Sequence, residues 1–584
     1  MTEYFEIDDR DGAARRGRLR LTGPRRTPAA VDDIVVDSGS RWHEPQSVPD
    51  GDESALTVLP HRALPPGTEP PVEEAFAVEY PDVDFPSAAV VSPGTADDYG
   101  TDAYVVSNAG GYAGHAEAFV DALLSVREAI PDDTALYCPG TATPANVATL
   151  VYAGVDLVDE KRARARGLEG FYLTTDGEAF LEDLEELPCP CSACQGSIET
   201  FDRTDCAEHN ANALEAELAR VRGRIAEGRL RDYIEGQARH EAWLTATVRL
   251  LDQQYGYIEE RTPVFRRNEL LAATDDSLRR PEIQRFADRV TSRYRRRLEA
   301  PLVLVPCSAR KPYSESQSHE QFTRAIGYRG HIVSMTSPIG VVPNELETTY
   351  PAQHYDSVVT GRWTATEIEF VSNVLERYLE RADYDRHIAH VAGEGYRDIC
   401  ERVEDSLGIE FEYTAADHPT TDESLAALED ALEGEPSYYK SERESATVRA
   451  IADFQFGDGA GDSVFGPEIT TEGVYPKLRV RNGEGEHLAT MVPQYGTLSL
   501  TLAGARAWLG SDAATKRVEI DGFVPSGSVL APGILDADES IRPGDEVVFE
   551  GPKAFGVGRA ACHGRAMVEG TRGIAVDVRH SENR

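Results

Sequence analysis

Four of the eight cysteines in this 584-residue chain, Cys189, Cys191, Cys194 and Cys206, crowd into one short stretch with His209 just beyond them. Such spacing suits a loop that closes around a metal ion and then runs into a helix. Three thiolates and an imidazole complete a tetrahedral Zn²⁺ shell, and a shell closed by protein ligands is structural. On spacing alone, Cys206 and His209 compete for the fourth position. Eight cysteines in a chain this long are too few for a disulfide scaffold.

An apolar content of 41% supplies several packed cores and excludes fibrous and disordered classes. With 59 Lys+Arg against 101 Asp+Glu the formal charge is −42, which excludes nucleic-acid binding through a uniformly basic surface and leaves only local contact. The only lysines are Lys161, Lys311, Lys440, Lys477, Lys516 and Lys553. A diffuse acidic excess poor in lysine reads as the surface of a halophile, where salt screens self-repulsion. No run of about 18 apolar residues occurs and the start lacks an apolar signal core, so a cytoplasmic protein without a membrane span is expected.

Residues 24–70, rich in Pro, Ser, Asp and Gly, read as irregular structure. From about 75 to 180, apolar strands at 88–91, 103–107, 134–137 and 170–173 alternate with helical stretches at 114–128 and 144–153. That alternation predicts a parallel α/β layer of barrel type. Residues 205–300 turn to long amphipathic patterns, a helical connector. At Pro301 the buried-strand run PLVLVP begins a second α/β domain, continued by strand-like runs at 331–338 and 387–393 and closed by an acidic helix and linker at 413–436. Short strands with Gly/Pro turns towards the C-terminus predict a small β-barrel. The expected fold is α/β multidomain, divided as 1–295, 296–440, 441–511 (a small α+β unit) and 512–584.

CPCSAC and the helix-like EHNANALEAELARVRGRIAEGRLRDYIE after it resemble the zinc loop and following helix of tRNA-guanine transglycosylases. The resemblance implies a TIM-barrel-like domain and takes Cys189, Cys191, Cys194 and His209 as ligands, in preference to Cys206. Upstream, YCPGTATPANVATLVYAGVDLVDE is similar to that family's run into its catalytic loop and gives Asp159 the position of the family's nucleophilic aspartate. Read as residues alone, Asp159 is an ordinary exposed acid in the run Asp156–Glu160. The family's Asp-Ser-Gly-Gly-Phe loop corresponds here to Asn108-Ala109-Gly110-Gly111-Tyr112, and an amide cannot serve as the carboxylate base. A degenerate transglycosylase-like domain that keeps scaffold and zinc is therefore expected.

The segment from Pro306 to His319 leaves the carboxyl end of the strand at 302–305, where ligands of open α/β sheets sit. Cys307, next to Arg310 and Lys311 with His319 folding back, is set up as a nucleophile; the alternative is a half-buried cysteine in a basic turn. The pattern Pro-Cys-x3-Lys-Pro-Tyr-x2-Ser-x2-His is similar to the hallmark of the archaeosine synthase family, archaeal paralogues of the transglycosylases. Every defined position is present, as Pro306, Cys307, Lys311, Pro312, Tyr313, Ser316 and His319.

That resemblance implies an enzyme, a transferase of archaeosine-tRNA biosynthesis. Its substrate would be tRNA carrying 7-cyano-7-deazaguanine at position 15 of the D-arm, and it would add an amine donor, lysine or glutamine, to the nitrile. A radical-SAM lyase partner subunit follows if lysine is the donor, and a homodimer is compatible. Cys307, Lys311, Tyr313, Ser316 and His319 are the catalytic candidates: Cys307 as nucleophile or, where the amine attacks the nitrile directly, as part of a loop that only positions it, Lys311, Tyr313 and His319 as proton donors or charge stabilisers, Ser316 as a positioning hydrogen bond. Pro306, Pro312, Glu345 and Asp356 are the substrate-binding candidates, with Glu347 and the Gly393–Gly395 turn contributed by similar segments downstream. Two other classes stand beside this reading. Base exchange would use Asp159, and Asn108 counts against it; a non-catalytic tRNA-binding protein would leave the intact motif unexplained.

The region 512–584 resembles a PUA domain, an RNA-binding barrel, and the unit before it resembles the accessory domain of archaeal transglycosylases. One basic stretch, Arg279 to Arg297, is laid out so that Arg285, Arg289, Arg293 and Arg296 share a helical face, able to meet phosphates or this chain's own carboxylates.

Overall fold

The computed structural model describes residues 3–42, 47–65, 67–359, 362–393 and 395–584. They form two compact units, one of residues 1–263, 528–543 and 561–576, the other of residues 264–527, 544–560 and 577–584.

The first unit is built on seven parallel strands, β1 (Ala29–Ala30), β2 (Val35–Asp37), β3 (Leu56–Val58), β4 (Ser87–Val91), β5 (Ala103–Val106), β6 (Ala135–Tyr137) and β7 (Leu157–Val158). Their order is β1-β7-β6-β5-β4-β3-β2. Strands laid side by side in chain order are the winding of a (β/α) barrel, here curled into a half-barrel. β4, β5 and β6 are buried throughout, as a parallel sheet covered on both faces requires. Two expectations are corrected. Residues 24–70 are not merely irregular, because β1, β2 and β3 lie there; runs of two or three residues are too short to show a period, and their pairing comes from neighbours distant in sequence. The strand expected at 170–173 lies outside the parallel sheet: Phe171–Thr174 pairs antiparallel with Gly177–Phe180.

Helix α1 (Arg203–Glu227) follows. Asp202 caps it by accepting from the backbone N–H of Thr204 (2.7 Å) and Asp205 (3.0 Å), and Gly228 ends it in the left-handed region at φ 65°. A cap of this kind stabilises by about 1 kcal/mol and fixes where the helix starts. That start decides which way His209, on the buried face, points.

In the second unit, β8 (Leu302–Pro306), β9 (His331–Thr336), β10 (Gly340–Pro343), β11 (His387–Ala389) and β12 (Glu412–Tyr413) are ordered β10-β9-β8-β11-β12, with only β9 and β10 antiparallel. The chain leaves central β8 for one side and returns later to the other, so the connections part at the carboxyl ends of β8 and β11. Ligands of doubly wound sheets bind at such a switch point. Alternate residues of β8 face opposite layers. Val303 and Val305 pack with Phe322 and Ile326 of α2 (Gln317–Ile326), whereas Leu302 and Leu304 pack in the layer that holds Leu375 and Tyr378 of α3 (Ala365–Arg381). α4 (Tyr396–Leu407) starts just after β11, and the acidic segment contributes α5 (Asp422–Ala431), with Leu428 in the core.

Further on, helix Lys440–Phe456 precedes a four-stranded antiparallel sheet, Ile469–Val474, Lys477–Asn482, His487–Val492 and Thr497–Leu500. Arg517–Ile520, Glu546–Glu550 and Ala554–Ala560 then pair as strands of the PUA domain. Most of the basic stretch is engaged internally. Arg280 is buried against Glu282 (3.2 Å), Arg285 and Arg289 are buried, and Arg295 and Arg297 pair with Asp458 and Asp453 (both 2.7 Å). Among the described residues, no helix is long and apolar enough to cross a membrane.

Candidate functional site

Cys189, Cys191, Cys194 and His209 converge so that one donor atom from each lies within 4.8 Å of all the others. Three of the six edges are Cys191 Sγ to Cys194 Sγ at 3.6 Å, and His209 Nδ1 to Cys191 Sγ at 3.6 Å and to Cys194 Sγ at 3.4 Å, with Cys189 Sγ inside the same 4.8 Å limit. Tetrahedral bonds of about 2.3 Å to sulfur and about 2.0 Å to nitrogen give edges of roughly 3.5–3.8 Å, so the donor set fits a small tetrahedral ion. The support is equally specific. His209 Nε2–H donates to the Leu173 carbonyl (2.9 Å), which leaves the Nδ1 lone pair facing the sulfurs, and Tyr172 stacks on the imidazole at 3.7 Å. Cys206 takes no part: buried, it donates to the Phe171 carbonyl at 3.3 Å. The antiparallel strand Phe171–Thr174 is therefore one wall of the metal site.

At the mouth of the half-barrel, Asp159 directly follows β7 and is fully buried, which corrects its reading as an exposed acid. Its carboxylate accepts from Tyr137 Oη (3.1 Å) and the Gly140 N–H (2.9 Å), and Lys161 Nζ lies 3.3 Å away. Burial, then Asp159, pushes the Tyr137 phenol far up, so it stays a donor. Asn108, after β5, sits in the left-handed region at φ 48° and spends its amide N–H on the Leu64 carbonyl at 2.6 Å.

Cys307 follows β8 at the switch point. Its N–H is held by the Met335 carbonyl (3.1 Å), which extends the β8–β9 ladder by one rung and fixes the backbone beneath the thiol. Its half-buried Sγ meets Tyr396 Oη, on the first residue of α4, at 3.3 Å. Lys311 Nζ lies 3.7 Å from the centroid of Tyr355. Burial lowers its ammonium pKa, opposed by Cys307, Asp356 and Glu269. Tyr355 Oη in turn bonds Tyr313 Oη (2.6 Å) and Thr336 Oγ1 (2.5 Å), and burial drives both phenols well above their ordinary value. Asp356, exposed, stands on the strand that carries Tyr355. Cys307, Lys311, Tyr313 and Asp356 are thus drawn into one neighbourhood with Tyr355, Tyr396, Thr336 and Glu269, four residues the sequence reading missed.

Other expected residues serve elsewhere. Ser316 is the N-cap of α2, its Oγ accepting the His319 N–H at 3.2 Å. His319 Nε2–H donates to the Pro306 carbonyl at 3.0 Å, its ring stacks on Tyr313 at 4.9 Å, and burial lowers its pKa to about 4. A neutral imidazole whose one N–H is committed to Pro306 holds the turn. Pro312 caps the short helical turn Tyr313–Glu315. Arg310 reaches away to Glu315 at 2.9 Å, with two-thirds of its side chain exposed, so it does not flank the thiol as expected. Glu345 lies at the opposite end of the sheet from Cys307. It bonds His331 Nε2 (2.9 Å), on the residue that opens β9, which holds its carboxyl low despite burial; this corrects its expected membership of the pocket. Glu347 accepts from the Ser314 N–H (2.8 Å) and Tyr475 Oη (2.9 Å), and burial raises its pKa. Glu394, within the expected glycine turn, falls outside the described residues.

Compared with known families, residues 91–242 match queuine tRNA-ribosyltransferase, 283–432 a domain of unknown function, 446–514 the patch-forming domain C2 of tRNA-guanine transglycosylase, and 519–581 the PUA domain. An archaeosine synthase of Haloferax volcanii is 62% identical over 100% of both chains. An archaeosine synthase subunit alpha of Methanosarcina acetivorans is 42% identical over 99% of each. A tRNA-guanine(15) transglycosylase of Methanothermobacter thermautotrophicus is 26% identical over 79% of this chain and 68% of that one.

Proposed function

The chain belongs to the archaeosine synthase family, tRNA-modifying transferases of archaeosine biosynthesis, and from that premise we propose that Cys307 attacks the nitrile of 7-cyano-7-deazaguanine at position 15 of the tRNA D-arm. The observation that carries the reading is the thiol's position: half-buried, beyond the carboxyl end of the central strand, with the Tyr396 hydroxyl against it and Lys311 nearby. A nitrile carbon is electrophilic but neutral, so addition needs a nucleophile and a proton for the developing imide nitrogen. Cys307 adds to give a thioimidate, and an amine then displaces the sulfur to leave an amidine. Lysine is the donor we favour, with a radical-SAM lyase partner releasing the product; glutamine is the alternative. Lys311, held above Tyr355, steadies negative charge on the sulfur. Pro306 and Pro312 shape the turn, and Asp356 keeps Lys311 charged.

In this reading residues 296–440 are the catalytic core, 441–511 and 512–584 hold tRNA, and 1–295 is a scaffold. Zn²⁺ bound by Cys189, Cys191, Cys194 and His209 would supply a structural cross-link there and no chemistry. Asp159 is retired from base exchange, because its carboxylate is buried and already held by Tyr137, Gly140 and Lys161, and no carboxylate stands at position 108. The acidic, lysine-poor surface suits a cytoplasm rich in salt.

The test is to incubate the full chain at high salt with nitrile-bearing tRNA and either lysine or glutamine, then weigh the nucleosides. Adduct with one donor is expected; no adduct with either overturns the reading. Cys307→Ala should cut turnover by about a thousandfold or more. Near-normal activity would leave the loop a positioning role only.

A further inference from the structure

Tyr396 is not part of the Pro306–His319 motif, yet its hydroxyl is what meets the thiol. It opens α4 at the switch point, directly after Gly395. Gly395 has φ +92°, and a Cβ there would come within 2.7 Å of Trp363 Cδ1. The missing side chain lets Trp363 close in, and the indole packs edge-on against the Tyr396 ring at 4.9 Å and 66°. The ring is thereby oriented by packing, and its hydroxyl is left to face Cys307 Sγ at 3.3 Å. Burial, reinforced by Cys307, drives the phenol's pKa far up, so it carries its proton at any working pH. His319, the motif's expected proton donor, has committed its N–H to Pro306.

We propose that Tyr396 is a catalytic residue of the nitrile-addition reaction, relaying the proton between the Cys307 sulfur and the substrate nitrogen. The proposal rests on Cys307 being the nucleophile. In the first step the S–C bond forms, one C≡N π pair moves onto nitrogen, nitrogen takes the phenolic proton, and the phenol oxygen takes the thiol proton. The product is a thioimidate with Tyr396 unchanged. In the second step the amine nitrogen bonds to that carbon, the C–S bond breaks, and the amine proton passes through the same oxygen to the departing sulfur. The amidine leaves, the thiol is restored, and no oxidant or reductant is consumed.

Tyr396→Phe keeps the ring against Trp363 and removes only the hydroxyl, so it is the decisive variant in the full chain. Single-turnover adduct formation with nitrile-bearing tRNA is expected to slow by about a hundredfold or more, the usual share of a general acid, while KM for tRNA stays within twofold. Melting within about 2 °C of the parent would confirm the fold. As an arm independent of that variant's folding, the unmodified protein in D2O should show a single-turnover rate at least about twofold below that in H2O, as proton transfer in the rate-limiting step requires. If Cys307→Ala is inactive and Tyr396→Phe is normal, the relay is overturned and the nucleophile stands. If Cys307→Ala is active, the nucleophile falls and the relay with it. A D2O effect of unity also overturns the relay.

Discussion

The first unit carries a parallel sheet and the second a mostly parallel one, and beyond the carboxyl end of a strand in each stands one side chain with nucleophilic chemistry: Asp159 after β7, Cys307 after β8. Their positions in the architecture correspond, but their surroundings differ. The Asp159 carboxylate is fully buried and held by Tyr137, the Gly140 N–H and Lys161. The Cys307 sulfur is half-buried and touched by one phenol. A carboxylate held by three partners must give up some of those bonds before it reacts, whereas a thiol with one weak partner gives up little. Placement at a strand end nominates a residue; the contacts around it decide whether it can work.

The largest effect expected concerns the cysteine–histidine cluster of the first unit. Binding of a structural zinc is worth on the order of 10 kcal/mol, so chelation or Cys194→Ser should strip amide protection from residues 189–209 in hydrogen exchange while leaving the alkylation rate of Cys307 unchanged. A chelator that moves nothing would remove the metal from the comparison. Next comes the turn under Cys307. Burial lowers the His319 pKa from 6.5 to about 4, so the unfolded chain binds its proton more readily. Stability from this source is complete above pH 6.5 and is lost as the pH falls through 6.5 towards 4, on the order of 3 kcal/mol in all. In urea titrations His319→Gln should therefore be well below the parent at pH 7 and approach it at pH 4; a gap independent of pH would show that the imidazole is not held neutral.

A smaller change sharpens the contrast directly. Asp159→Asn weakens three contacts at once and should cost about 1–3 kcal/mol in the first unit's unfolding, with adduct formation unchanged within twofold. A folded Asp159→Asn protein that has lost turnover would break the comparison, because the engaged carboxylate would then be a working one. Least of all, Arg310→Ala should alter stability by less than about 1 kcal/mol and turnover by less than twofold, since its pair with Glu315 is exposed.

Local chemistry was legible because it depends on neighbours in the chain. The Cys189–Cys194 loop and the His209 helix carry their ligands at short spacing, and PLVLVP announced the central strand without help. The family motif marked Cys307, and the segments that contain Tyr355 and Tyr396 were recognised as its companions. The residues within them that matter were not. Tyr396 lies 89 positions from Cys307 and reaches it only because β11 pairs beside β8 and α4 starts there. Tyr355 meets Lys311 on a short strand paired with Leu270–Ala272, a partner no periodicity reveals.

By itself, then, the sequence determined the longer strands and helices, that three cysteines and a histidine can close on a metal, and that a thiol stands at the end of a buried strand. Spacing, period and caps act over a few residues. Tertiary structure alone decided that Asp159 is buried and engaged, that Arg310 turns outward, that His319 bonds to the backbone, and that a phenol from a later helix faces the thiol. Each of these depends on which strands lie side by side. Register and strand order are set by the packing of whole layers, and a side chain's partners follow from that packing rather than from its neighbours in the chain.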